Sequence, residues 1–232
     1  MFVQSLHRYP VKSLRGEDLS TAQLTADGIA GDRVVHVRGD RGPLTGRTRH
    51  GLLTIPASTG VDGVPMVAGH RWDSQEAAEL IRDGGGPDAR LAAYDGPERF
   101  DIHNLLVATD GTIEALGIDA RRLRPNLVIG GVDGLDERSW EGRALAIGEV
   151  LIGISDLRQR CIVTTIDPDT GAQDVDVLRD IARRFASRVA LNCWVIQPGT
   201  FRLGDRVELV DVDERPARRG GWILGAPYLP SP

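Results

Sequence analysis

Short runs of β-branched and other apolar residues, each closed by glycine, proline or aspartate, recur along most of the chain. Runs of this length with turn residues at their ends are typical of β-strands. The predicted strands span residues 3–9, 19–25, 34–38, 105–109, 127–129, 161–166, 192–197 and 206–212, with 48–54 as a further candidate. Residues 143–154 alternate in polarity and predict two strands hinged at residues 148–149.

Helical periodicity is confined to a few segments. Residues 175–185 carry apolar side chains at three- and four-residue spacing, which predicts an amphipathic helix. Residues 72–82 predict a second helix, with Asp73 or Ser74 as its N-cap, and residues 110–116 a short third one. Many strands and few helices together predict a mainly β protein of the α+β type, built as a barrel or sandwich.

The chain divides best near residues 95–97, where Asp-Gly-Pro interrupts the strand pattern. We therefore predict an N-terminal β-rich unit over residues 1–96 and a larger β unit with one main helix over residues 97–212. Residues 213–232 are rich in proline, glycine and arginine and are predicted to form a loosely ordered tail.

Charge and composition narrow the class of partner. The net charge is −5 and the isoelectric point about 5.6, which argues against nucleic acid or an anionic membrane as partner. The sequence contains no run of 18 apolar residues that could span a membrane and no secretory signal at residues 1–10. Two cysteines in a chain of this size do not form a disulfide scaffold, so we expect a cytoplasmic protein with reduced thiols.

Cys161 is the strongest candidate for chemistry. Arg158 and Arg160 precede it, and neighbouring guanidinium groups favour a thiolate, which is both a nucleophile and a soft metal ligand. An inert cysteine in a β core is the alternative, and it fits Cys193 better because apolar residues follow that position. His103 is the histidine best placed along the chain to partner a catalytic cysteine, although it can equally be a strand-end residue bonded to backbone.

Cationic residues at turns suggest an anionic ligand. Lys12 and Ser13 follow a proline, Arg33 follows Gly-Asp, and Arg124 and Asn126 flank another proline. Each of these cations alone is most simply a solvated surface charge. Several basic clusters in an acidic protein, together with an arginine-flanked cysteine, instead indicate one pocket for an anion such as phosphate.

These elements occur in the order seen in MOSC-domain proteins, the family of the molybdenum cofactor sulfurase C-terminal domain, and the chain resembles their YcbX-type and amidoxime-reducing members. The matching elements are Tyr9-Pro10-Val11-Lys12-Ser13, Gly16, Gly31-Asp32-Arg33, Arg124-Pro125-Asn126, Trp140, Ile147-Gly148, Gly204-Asp205 and the segment from Arg160-Cys161 through Thr164-Thr165 and Asp167-Pro168 to Thr170-Gly171. The resemblance covers residues 1–212 and implies a MOSC β-barrel preceded by a β-rich MOSC N-terminal unit.

The resemblance also implies a molybdenum–pterin cofactor. Cys161 would be the protein ligand to molybdenum and the catalytic residue. The other residues implied to contact the cofactor are Lys12, Ser13, Arg33, Thr109, Arg124, Asn126, Arg160, Thr165 and Asp167.

Several functions stay open on these grounds. The leading one is a molybdenum-dependent reductase of N-hydroxylated or N-oxide small-molecule substrates, supplied with electrons by a separate iron–sulfur, flavin or cytochrome protein. The others are a sulfur carrier that uses a Cys161 persulfide, a cofactor-binding module without turnover, and a barrel whose motif has decayed. No pyridoxal-phosphate-binding domain precedes residue 1 and no cysteine follows Cys193, so neither a full sulfurase nor an attached iron–sulfur domain is expected.

Overall fold

The computed structural model describes residues 1–94 and 99–213. This part of the chain contains seventeen strands and three α-helices. The predicted boundary at residues 95–97 and all but the first residue of the predicted tail lie outside the described residues, so the proposed division into units stays a prediction. The mainly β class is confirmed by the strands themselves.

An eight-stranded mixed sheet forms the centre of the fold. Its strands are β1 (Phe2–Arg8), β2 (Glu17–Leu19), β11 (Leu105–Thr109), β12 (Leu127–Gly130), β13 (Arg143–Ile147), β14 (Val150–Gln159), β15 (Arg188–Gln197) and β17 (Glu208–Asp211). Their order is β17-β13-β14-β15-β11-β12-β1-β2. Strand β1 pairs antiparallel with β12, so the first strand of the chain is part of the same sheet as strands of the second half.

Three small antiparallel sheets surround it. They are built from β3 (Thr21–Thr25), β4 (Gly28–Ile29), β5 (Val35–Gly39), β6 (Gly42–Leu44), β7 (Ala57–Thr59), β8 (Pro65–Val67), β9 (His70–Arg71), β10 (Arg90–Ala93) and β16 (Gly199–Arg202). The orders are β10-β5-β6, β16-β3-β4 and β7-β8-β9. Because β16 pairs with β3, a late strand is added to the N-terminal half and the two halves interlock at a second place.

The helices lie where the apolar periodicity predicts them. Helix α1 (Gln75–Gly85) has Ser74 as its N-cap, whose side chain accepts from the Ala77 amide. Helices α2 (Asp110–Leu116) and α3 (Val175–Phe185) coincide with the predicted spans. No helix in the described ranges is long and apolar enough to span a membrane.

Two predicted strands are wrong. Residues 48–54 contain the 3₁₀ helix His50–Thr54, and residues 161–166 contain the 3₁₀ helix Ile162–Thr165. In the second case each threonine hydroxyl donates to a carbonyl three residues earlier, Thr164 to that of Cys161 at 2.8 Å and Thr165 to that of Ile162 at 2.7 Å. These local bonds override the β preference of branched residues and place Cys161 at the start of a tight turn.

Apolar side chains form three buried clusters. The largest lies on one face of the central sheet and includes Leu145, Ile152 and Ile154. The smallest packs α2 and α3 against the sheet and includes Ile181 and Phe185. Helix α3 also contacts the 3₁₀ turn that follows Cys161, so packing of this helix fixes the backbone next to the thiol.

Replacement of Ile181 by alanine tests this packing. The side chain is fully buried, and the change is expected to lower the free energy of unfolding by about 2–5 kcal/mol. Val175→Ala in the same helix is the matched control, because Val175 is exposed and the effect should stay within about 0.5 kcal/mol. Urea titration of both variants measures the difference; equal destabilisation would show that α3 is not anchored through Ile181.

Candidate functional site

A cleft opens beside Cys161 and is lined from both halves of the chain. Among the described residues its lining includes six cationic side chains and one carboxylate, Asp101. The cations are Lys12, Arg33, Arg47, Arg124, Arg158 and Arg160. This excess of positive charge occurs in a protein whose net charge is −5, so positive charge is concentrated locally at the cleft.

Cys161 is held at the rim of this cleft by its backbone. Strand β14 ends at Gln159, and the Arg160 amide then donates to the Ser187 carbonyl at 2.8 Å. The Cys161 side chain is partly exposed and lines the cleft. Burial opposes ionisation of Arg47, but the charge of Asp101 and the charge and hydrogen bond of the Cys161 sulfur outweigh it and raise the Arg47 pKa. The thiol therefore has a guanidinium as immediate neighbour.

Cys193 differs from Cys161 in its burial and its surroundings. It is fully buried in the central sheet, and its thiol lies 3.7 Å from the Leu191 carbonyl oxygen. Burial, followed by the negative charge of Asp156, raises the pKa of this thiol well above its ordinary value. The expectation that Cys193 lies in the β core is confirmed.

Asp101 forms ion pairs with three of the cations. Its Oδ1 atom lies 3.1 Å from Lys12 Nζ, and its Oδ2 atom lies 2.7 Å from Arg47 Nη2 and 3.2 Å from Arg158 Nη2. Burial alone would raise the Asp101 pKa, but the three cations hold it well below its usual range. Asp101 is thus charged and compensates part of the positive charge around it.

The positive charge of Arg33 is balanced by a buried carboxylate that does not itself line the cleft. It pairs with Asp32, which is fully buried and also accepts from the Tyr9 amide at 2.8 Å and from Asn126 Nδ2 at 3.1 Å. The guanidinium of Arg33 lies 5.0 Å from the centre of the Tyr9 ring, within cation–π range. Asp32 thereby connects the predicted site residues Arg33 and Asn126.

Arg124 and Arg160 have no carboxylate partner among the described residues. Arg124 donates to the Leu14 carbonyl at 2.7 Å and lies 4.3 Å from the centre of the Tyr9 ring, and Arg160 donates to the Leu123 carbonyl at 2.7 Å. Burial lowers the pKa of Arg124, and burial with repulsion from Arg158 lowers that of Arg160 to about 10. The Nε atom of Arg160 is buried and has no hydrogen-bond partner among the described residues.

Three lining residues have left-handed backbone conformations. The φ angles are 73° at Ser13, 54° at Arg33 and 56° at Arg124. A residue with a Cβ atom is disfavoured there by about 1–2 kcal/mol, and such outliers cluster at functional sites. The surrounding structure therefore holds these three residues in backbone conformations that are unfavourable by themselves.

Most of the residues expected at the site meet in this one cleft. They are Lys12, Ser13, Arg33, Arg124, Asn126, Arg160 and Cys161. These residues are far apart in the sequence. The pairing of β1 with β12 brings Lys12 and Ser13, which follow β1, close to Arg124 and Asn126, which precede β12. Whether each contacts a cofactor stays a prediction.

Three expected contacts are placed elsewhere. Thr109 is fully buried and caps α2, accepting from the Thr112 amide at 3.1 Å. Thr165 is fully buried, and its hydroxyl is used within the 3₁₀ turn. Asp167 accepts from the Thr170 amide at 2.9 Å, within the Asp-Pro turn. None of the three lines the cleft. Thr165 also accepts from Gln173 Nε2 at 3.3 Å, and Asp167 also accepts from Arg122 Nη2 at 3.1 Å.

Arg47 and Asp101 line the cleft although sequence reasoning missed them. Arg47 lies between β6 and the 3₁₀ helix His50–Thr54, and Asp101 precedes β11. Neither stands in a motif, and each is an ordinary charged residue in a loop. The one available signal was the predicted clustering of cations, which implies a neighbouring carboxylate to limit their repulsion.

The fold and the cleft together define a β-rich protein in which a thiol and several cations line one cleft. The comparisons with known proteins agree with this class. A family model described as the MOSC domain matches residues 84–208, more than half of the chain, and one described as the MOSC N-terminal beta barrel domain matches residues 1–66. The chain belongs to the MOSC family.

Two relatives are mammalian proteins. The mouse mitochondrial amidoxime-reducing component 1 is 32% identical over 134 residues, which is 47% of this chain and 37% of the relative. The human mitochondrial amidoxime-reducing component 1 is 33% identical over 111 residues, 40% of this chain and 31% of the relative. The chain thus matches only about a third of the length of either relative.

Among solved structures, the YUAD protein from Bacillus subtilis superposes with a TM-score of 0.49 at 13% sequence identity. The superposition covers 91% of this chain and 96% of that chain. The YiiM protein from Geobacillus stearothermophilus has a TM-score of 0.37 at 18% identity and covers 47% of this chain and 54% of that chain.

The two cysteines should differ in accessibility. Iodoacetamide is expected to alkylate Cys161 in the folded protein and to leave Cys193 unmodified until the protein is unfolded, because only Cys161 reaches the surface. Peptide mass spectrometry of native and urea-unfolded samples measures both sites. Comparable alkylation of Cys193 in the folded protein would contradict this assignment.

Proposed function

We propose that this chain binds a molybdenum–pterin cofactor in the cleft and acts as a reductase of N-hydroxylated or N-oxide substrates. One observation carries the proposal: the Cys161 thiol lies at the rim of a cleft that has six cations, one carboxylate and a buried guanidinium nitrogen without a partner. The names of the relatives, amidoxime-reducing components, support the reaction class for this chain.

The residues present fit the group that the family resemblance implies. Thiolate sulfur is a soft ligand suited to a transition metal, and Cys161 would hold the molybdenum. Arg124 and Arg160, which have no carboxylate partner in the described part of the chain, would bind the anionic part of the cofactor, since guanidinium groups bind phosphate in bidentate fashion.

The bound cofactor would supply two-electron chemistry that removes oxygen from the substrate. The chain itself performs three tasks. Cys161 would fix the position of the metal, and Arg33 and Arg124 would orient the anionic group through side chains that Tyr9 and Asp32 hold in place. Ser13 would add a neutral polar contact at the same lining, and Asn126 supports the lining through its hydrogen bond to Asp32. Positioning of this kind is the usual contribution of a protein to cofactor chemistry.

The reaction consumes electrons that this chain does not provide. We therefore propose a separate electron donor of the iron–sulfur, flavin or cytochrome type, together with a small-molecule substrate. Nucleic acid and membrane partners are not proposed, because the net charge is −5. A cytoplasmic location stays a prediction from the sequence.

Metal and pterin analysis of the purified protein tests the cofactor. Expressed in a host that makes the cofactor, the protein should contain molybdenum and pterin in near-equal amounts. Cys161→Ala should lose molybdenum and activity while the protein stays folded, because the side chain is a rim residue; Cys193→Ala is the matched control and should keep its metal. Folded wild-type protein that contains neither component would exclude the reductase and favour a sulfur carrier that uses a Cys161 persulfide.

Activity is tested with an N-hydroxylated amidine and a donor chain. Wild-type protein loaded with cofactor should convert the amidoxime to the amidine, and Cys161→Ala should not. Product formation measured by chromatography decides the outcome. No turnover with iron–sulfur, flavin and cytochrome donors in turn would leave cofactor binding without reduction.

Loss of a cleft cation should weaken cofactor retention. Arg33→Ala and Arg124→Ala each remove a guanidinium from the lining and are expected to release pterin during gel filtration. Arg179→Ala, which removes an exposed arginine from α3, is the matched control and should retain it. Unchanged retention in both cleft variants would remove the anion-binding argument.

A further inference from the structure

Apart from Arg33, which pairs with the buried Asp32, the cations of the cleft are of two kinds. Arg124 and Arg160 bond to backbone carbonyls only, whereas Lys12, Arg47 and Arg158 are all engaged by Asp101. The second kind is therefore already occupied by a negative group. An anionic ligand that uses these three donors has to compete with the chain's own carboxylate.

The carboxylate of Asp101 occupies a place suited to a ligand oxyanion. Its two oxygens accept from three cations at 2.7–3.2 Å, which is the ordinary range of N–H···O hydrogen bonds. Lys12 and Arg47 come from the first half of the chain and Arg158 from the second. A phosphate group offers more acceptor oxygens and more charge to the same three donors.

The surroundings of Asp101 allow its side chain to move. It lies in residues 101–104, which form neither helix nor strand, and 27% of the side chain is exposed. The backbone on either side is tied to the turn before β4, because Arg99 donates to the Asp27 carbonyl and Asn104 to the Ala26 carbonyl. Rotation of one side chain toward solvent is thus enough to release the three cations.

We propose that Asp101 is an internal counter-ion that an anionic ligand displaces, and that it determines which anions the cleft accepts. The inference rests on the proposed function only in that both need an anion in this cleft. In the ligand-free chain Asp101 relieves the repulsion among Lys12, Arg47 and Arg158. A singly charged anion gains little by replacing it, whereas a ligand with two or more negative charges gains attraction that the carboxylate cannot match. Asp101 therefore makes the cleft selective for polyanions.

Calorimetric titration with inorganic pyrophosphate tests the inference on cofactor-free protein. Asp101→Asn keeps the shape of the side chain and removes its charge, and it should bind pyrophosphate roughly tenfold more tightly than wild type, equivalent to about 1.4 kcal/mol. Asp180→Asn is the matched control, since Asp180 pairs with Arg183 and Arg184 on the outside of α3, and its affinity should equal that of wild type. Asp101→Ser provides a second variant should the asparagine variant not fold.

Titrations at two salt concentrations separate direct competition between Asp101 and pyrophosphate from a general effect of the Asp101 charge on the potential in the cleft. The titrations are repeated at about 0.1 M and 1 M KCl, where the Debye length falls from about 10 Å to about 3 Å. Competition for the same donors predicts that the gain in Asp101→Asn persists at high salt, and a gain that disappears at high salt would overturn the inference. Equal or weaker binding by both Asp101 variants would overturn it too, while the anion cleft would stand. Absence of binding by wild type and variants alike would remove the anion cleft itself, and with it both proposals.

Discussion

Repulsion among partly buried cations is the constraint on which this structure depends. Two unit charges 4 Å apart interact by about 4 kcal/mol at the effective dielectric near a protein surface, and the cleft brings six cations together. Each is therefore offset by a specific group. Asp101 serves three of them, Asp32 serves Arg33, and the remaining two donate to carbonyls.

This arrangement explains why the two halves of the chain interlock. Lys12 and Arg47 precede the predicted boundary at residues 95–97, whereas Asp101 and Arg158 follow it. Asp101 can be held about 3 Å from its three cations only if the backbone segments that carry these side chains are fixed. Strand β1 within the central sheet and strand β16 beside β3 provide that fixation, and the left-handed residues at the lining are tolerated because the surrounding structure determines them.

Much of the fold followed from local sequence signals. The predicted spans of α2 and α3 coincide with the structure, since caps and apolar periodicity act within one segment. The strand expected at residues 161–166 was wrong, because threonine hydroxyls bonded to the backbone three residues earlier and closed a 3₁₀ turn. Short strands such as β4 and β9 have two residues each and carry no periodicity to detect.

The site was predictable only where a motif or a turn marked a residue. Cys161, Lys12 and Arg124 stand in such segments and do line the cleft. Asp101 and Arg47 do not, because their roles arise from tertiary pairing between distant loops. Thr109 stands in a plausible position along the chain, but capping a helix uses its hydroxyl.

The central claim is that the Cys161 sulfur and the cations face the same anion-binding space. It is tested most directly by the rate at which iodoacetamide, an uncharged reagent, modifies Cys161 in cofactor-free protein as pyrophosphate is added. The account predicts that the rate falls and saturates with the same concentration dependence as pyrophosphate binding. A rate that stays constant while pyrophosphate binds would place the anion away from the thiol and contradict the account.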